Sequence, residues 1–162
     1  MTATATLNPS KPYKQNDVWH YPELPTRMRQ ATVTDFNIIT PELVFGINIM
    51  FQPVAGEAYQ ARIIRNSTDL KKFGPDIIAG KVYIDKLPYK QDGLWYYTYL
   101  PIGCRKAIFS DFLTIDNQIK PGIDFLVLGT QSTDYEAHRT SDIQHFIQWL
   151  DWIQAGRVIV KG

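Results

Sequence analysis

Asp134, Glu136 and His138, spaced two apart, with Asp142 and His145 a little further on, are this sequence's nearest approach to a reactive cluster. Two of these carboxylates with the two imidazoles could hold a divalent cation. Their spacing fits neither the paired histidines of a helical zinc site nor a finger, so the cluster reads as a solvated loop whose acids precede a helix N-terminus. Asp76, with the pair Asp85 and Lys86, offers the carboxylates and lysine that could hold magnesium. Adjacent residues on a strand point to opposite faces, so Asp85 and Lys86 cannot share a site. Cys104 precedes Arg105, a neighbour that could favour the thiolate. Nothing in the spacing ties His20, His138 or His145 to it as a base. The sequence also lacks a Gly-x-Ser-x-Gly elbow, a Gly-x-Gly-x-x-Gly turn and a Walker loop. The expectation is a non-enzymatic chain with no catalytic residues, no metal and no cofactor.

The element that must position this region is a helix predicted over 141–156. Ser141 and Gln144 form a capping box, Asp142 suits the positive end of the helix dipole, and Gly156 supplies the left-handed stop. Ile143, Phe146, Ile147, Leu150 and Ile153 make one apolar stripe facing a core. His145, Trp149 and Trp152 then fall outside that stripe as a second, aromatic face, which reads as a contact patch for a protein partner.

Residues 1–30 read as an extended arm. Pro9, Pro12, Pro22 and Pro25 oppose regular helix, and most of the first eighteen residues are polar. Trp19 and Tyr21, with Leu24 and Met28, are its candidate anchors, either on the aromatic helix face or on a neighbouring molecule. Residues 31–162 read as a single β-rich domain. Strands are expected over 32–39, 43–52, 58–65, 77–87, 94–100, 105–115 and 123–130, with a short helical stretch at 66–74 and a closing strand at 158–160. Asp92-Gly93 marks a hairpin, and 131–139 reads as a polar loop. No internal repeat is evident. The fold class expected is α+β, mainly β: an antiparallel barrel or sandwich of seven to eight strands, one C-terminal amphipathic helix and the N-terminal arm.

A small barrel carrying Tyr83, Trp95, Tyr97 and Tyr99, with Arg62, Arg65 and Lys81 near in sequence, could stack bases and follow a phosphate backbone. A net charge of +1, from 17 basic and 16 acidic residues, gives no general attraction to nucleic acid or anionic membrane. The charges are unevenly spread: 60–90 holds seven Lys or Arg against three acids, and 110–155 holds two against seven. Such a dipole suits head-to-tail packing of identical subunits. A single cysteine excludes an internal disulfide, and the start lacks the pattern of a signal peptide. The sequence therefore points to a non-enzymatic structural subunit of a homo-oligomeric or multi-protein assembly, of the virion or tail-component kind, in the cytoplasm or in an intracellularly assembled particle. A single-stranded nucleic-acid-binding barrel is the alternative, and a metal-dependent or thiol enzyme is third.

Overall fold

The computed structural model describes residues 11–112, 122–129, 133–140 and 147–162. The chain divides between Leu87 and Pro88 into two compact units, in place of an arm followed by one domain.

Unit 1 holds β1 (Tyr13–Gln15), β2 (Val18–Tyr21), β3 (Arg29–Gln30), a 3-10 turn at Val33–Phe36, β4 (Ile47–Phe51), β5 (Tyr59–Ile64), helix α1 (Ser67–Ile78) and β6 (Val82–Ile84). Its six strands form one antiparallel sheet in the order β1-β2-β5-β4-β6-β3. Unit 2 holds β7 (Tyr89–Gln91), β8 (Leu94–Tyr97), β9 (Cys104–Lys106), a 3-10 turn at Phe109–Phe112, β10 (Ile123–Leu128), β11 (Tyr135–Thr140), helix α2 (Leu150–Gln154) and β12 (Val158–Lys161). Its sheet runs β7-β8-β11-β10-β12-β9.

These are the same topology twice, at a constant offset of 76 residues, as from Tyr13 to Tyr89. The strand registers repeat at that offset: Tyr13↔His20 becomes Tyr89↔Tyr96, Tyr21↔Tyr59 becomes Tyr97↔Tyr135, and Phe51↔Val82 becomes Val127↔Val158. Sequence identities follow the same offset. They include Pro-Tyr-Lys-Gln at 12–15 and 88–91, Trp19 with Trp95, Arg29 with Arg105, Asp35 with Asp111, and Ala79-Gly80 with Ala155-Gly156. The reading that no repeat exists is therefore corrected: the chain is a tandem pair of one module.

Other expectations change with it. Both sheets are open rather than closed into a barrel, and the described residues hold twelve strands rather than seven or eight. The supposed arm supplies β1, β2 and β3, because Asn16 and Asp17 adopt left-handed conformations and close a two-residue hairpin that pairs onward with β5. Residues 1–10 lie outside the described residues. The strand expected at 32–39 is a 3-10 turn capped by Thr32, whose hydroxyl and backbone N–H both reach Asp35. The loop expected at 131–139 yields strand β11 from residue 135. Helix α1 runs through Gly74 and Pro75, with Asn66 accepting from the Asp69 N–H at its start. It stops at Gly80, whose φ is +79°.

One face of each sheet carries the core. In unit 1, Ile47, Ile49, Ile64, Val82 and Ile84 are buried, and α1 brings Phe73 edge-on to Phe51. In unit 2, Phe125, Val127, Val158 and Val160 pack with Ala107, Phe112 and Ile153. Leu126, on the opposite face of β10, is also fully buried, so the reading of 123–130 as a strand apolar on both sides holds.

A repeated clasp fixes the rim of each sheet. Arg29 on β3 forks onto Asp35 at 3.0 and 2.8 Å, and Arg105 on β9 forks onto Asp111 at 2.8 and 2.6 Å. Each aspartate also accepts a backbone N–H three residues before it, from Thr32 or Ile108. The guanidinium, aided by these backbone donors, pulls the Asp35 carboxyl down to about 2, and Asp111 shifts the same way for the same reason.

Candidate functional site

Among the described residues the helices pack on the β4–β6 and β10–β12 half of each sheet face: Phe73 meets Phe51, and Ile153 packs with Phe125, Val127 and Val158. The other half of that face, carried by the outer hairpin and its neighbour, forms a polar and aromatic shelf. In unit 1 one cross-strand row reads Tyr13, His20, Gln60 over β1, β2 and β5 before reaching Phe51. Arg62 follows Gln60 two residues on, hence on the same face. In unit 2 the equivalent row reads Tyr89, Tyr96, Glu136 before Val127, with His138 beside it. All of these side chains are half-buried except Tyr89, which is exposed.

The shelves share an aromatic end. Tyr13 stacks on His20 with centroids 5.2 Å apart and planes 9° off parallel, and Tyr89 stacks on Tyr96 at 5.3 Å and 10°. They differ at the polar end. On shelf 1 the Arg62 guanidinium donates through Nε and Nη2 to Gln60 Oε1 at 3.1 and 2.8 Å. On shelf 2 Glu136 lies 3.8 Å from His138 Nε2. The Tyr89 hydroxyl donates to Asp134, a bond that pushes the phenol above its ordinary range. The module thus keeps its rings and changes the sign of its charge.

The three residues weighed as a metal cluster therefore do different jobs. Asp134 takes the Tyr89 hydroxyl, and Glu136 faces the shelf. The His138 ring lies between Phe125 and Trp149, at 5.8 and 4.8 Å. Among the described residues no group of three His, Cys, Asp or Glu side chains is placed to hold a metal ion.

The partner-binding residues expected from sequence are divided between the units. Trp19 is 45% exposed and sits opposite Lys14 in the β1–β2 hairpin, while Tyr21 is half-buried opposite Tyr59. His145 lies outside the described residues. Trp149 is half-buried against Phe125, and Trp152 meets it edge-on at 6.2 Å with the Arg157 guanidinium 5.9 Å from its ring. Both tryptophans pack against their own unit's core, and Ile147 of the expected core stripe is exposed instead. The inward face is the one α1 uses: Trp149 and Ile153 stand at the positions of Phe73 and Ile77, and Ile147 at that of exposed Lys71. The first part of the expected helix, 141–146, lies outside the described residues.

The nucleic-acid set is divided between the units. Arg62, Arg65, Lys81 and Tyr83 belong to unit 1, whereas Trp95, Tyr97 and Tyr99 belong to unit 2. Tyr97 is only 4% exposed and offers no ring face to a base, and the Trp95 indole N–H is buried.

One further surface is an open groove of about 390 Å³ in unit 1, lined by Gln30, Val33, Ile77 and Ile78 among others. In unit 2 Gln154 stands at the position of Ile78, while Phe109 and Ile153 stand at those of Val33 and Ile77.

Sequence reasoning missed Tyr13, His20, Gln60, Tyr89 and Tyr96 as a set. The signal that finds them is the recurrence of Pro-Tyr-Lys-Gln-x-x-aliphatic-Trp at 12–19 and 88–95. No helix among the described residues is long and apolar enough to cross a membrane. Comparison with protein-family models, curated proteins and solved structures finds no match to this chain.

Proposed function

We propose that this protein is a non-enzymatic structural subunit of a larger protein assembly, of the virion or tail-component kind, built from two copies of one adhesive module. The observation that carries this reading is the retention of the outer hairpin in both copies. Some core positions drift between the repeats, as Ile49 to Phe125 and Phe51 to Val127, and others are kept, as Ile77 with Ile153 and Val82 with Val158; Tyr-Lys-Gln and the following Trp of the outer hairpin stay fixed as well. Lys14, Gln15 and Gln91 are exposed, so burial does not explain why they are kept. Exposed polar and aromatic residues kept without a packing reason point to contact with another molecule. Tyrosines on a half-wet shelf suit a protein partner, being large, rigid and amphipathic.

The hairpins work through side chains rather than by adding strands. Each outer strand is three residues long, follows a proline and carries a lysine at its centre, features that discourage edge-to-edge pairing. Two like surfaces on one chain also let a subunit engage neighbours at both of its modules. The test is sedimentation velocity over a concentration series. A weight-average mass that rises above the monomer is expected, and a monomer at every concentration overturns the homo-oligomeric reading.

A further inference from the structure

We propose that shelf 1 of one molecule docks on shelf 2 of a second copy, so that the chain assembles head to tail. This rests on the assembly reading above and names its contact. The argument comes from where the two copies of the module differ. Gln60 is replaced by Glu136, Ala58 by Asp134, and Arg62 by His138. Shelf 1 therefore presents a guanidinium whose hydrogen bonds go to neutral Gln60. Shelf 2 presents two carboxylates, one of them with a basic neighbour no closer than 3.8 Å.

A shelf facing its own kind sets like against like: Arg62 against Arg62, or Glu136 and Asp134 against themselves. Only the mixed pairing sets a guanidinium against carboxylates, the combination that forms strong, directional charge-assisted hydrogen bonds. The stacked rings, His20 with Tyr13 and Tyr96 with Tyr89, supply apolar area beside that pair. The units carry the same bias as a whole. Residues 1–87 hold ten Lys or Arg against eight Asp or Glu, and 88–162 hold seven against eight. A contact whose two halves are different surfaces of one chain either closes reciprocally into a two-fold dimer or propagates into a ring or a filament.

The test is sedimentation of the full-length protein at low salt with Arg62→Glu, with Glu136→Arg, and with both changes in one chain. Each single reversal is expected to weaken association by roughly tenfold or more, and the double reversal to restore it. Unchanged circular dichroism and melting temperature establish that the fold is intact. Should a reversal unfold the protein, Arg62→Gln and Glu136→Gln replace it, each expected to weaken association less. Wild-type oligomers indifferent to all of these changes would overturn the head-to-tail contact while leaving the assembly reading in place. Oligomers that either single reversal weakens and the double reversal fails to restore would overturn it equally.

Discussion

Tyr89 lies flat on Tyr96, their ring centres 5.3 Å apart, and its hydroxyl donates to Asp134. The first module repeats the stack with Tyr13 on His20 but holds Ala58 where the acid would be. One sheet design thus offers two surfaces of similar shape and different charge.

Those rings are at the rim, so their loss should be felt between molecules more than within one. Tyr13→Ala and Tyr89→Ala are each expected to cost the fold only about 0.5–1.5 kcal/mol. Each should weaken self-association markedly. Thermal melts and sedimentation on the same samples separate the two effects.

The Arg–Asp clasps make acid stability predictable in sign. The folded-state pKa of Asp35 is depressed to about 2 from an ordinary 3.8, so its contribution is present above the ordinary value and is lost as pH falls toward 2. Asp111 acts in the same direction. Asp35→Asn should lower stability at neutral pH by about 1–3 kcal/mol and flatten the acid limb of the stability curve. Denaturant melts between neutral pH and pH 2 check both.

Gly46 holds φ at +73°, and a Cβ there would lie 2.5 Å from the Ile64 carbonyl oxygen on the neighbouring strand. Gly46→Ala should cost about 1–3 kcal/mol from strain alone, and more from the clash. Gly56, at +89° with nothing within 4 Å, is the control. Gly56→Ala should carry the conformational cost only, so the gap in midpoint between the two variants reports the clash.

Trp149→Ala should be severe, about 3–5 kcal/mol, because its ring packs on Phe125 and His138 within the core of unit 2. Trp19→Ala, at a site 45% exposed, should change the melting temperature little. Equal losses at the two positions would contradict the burial pattern.

What could be read from the sequence follows from where apolar residues had to be. Phe125, Leu126 and Val127 are buried on both faces of their strand, so this apolar run announced a central strand. Asp92-Gly93 announced its hairpin through φ preferences alone. Tyr135 to Thr140 looked like a loop because Glu136, His138 and Arg139 are polar, so the stretch lacks the apolar alternation that announces a strand. Val33 to Phe36 looked like a strand, although the Thr32–Asp35 pair, reciprocally bonded, was the cue for a capped turn. The duplication was hidden because each fold needs only apolar character at its core positions, which leaves Ile49 free to become Phe125. The hairpin and clasp residues kept their identity, as did scattered core positions such as Ile47 with Ile123 and Val82 with Val158, which are too far apart to read as a run. Opposite charge on two like shelves became visible once β5 and β11 were aligned, since Arg62 and Glu136 are not equivalent positions.

The most direct measurement mixes two variants that should each be monomeric. A chain with Arg62→Glu presents acidic charge on both shelves, and a chain with Glu136→Arg carries an arginine on each. Alone, neither should sediment faster than the monomer. Combined at equal concentration they should assemble in alternation, regaining the wild-type sedimentation profile. A mixture that sediments as the simple sum of two monomers would contradict docking of shelf 1 on shelf 2.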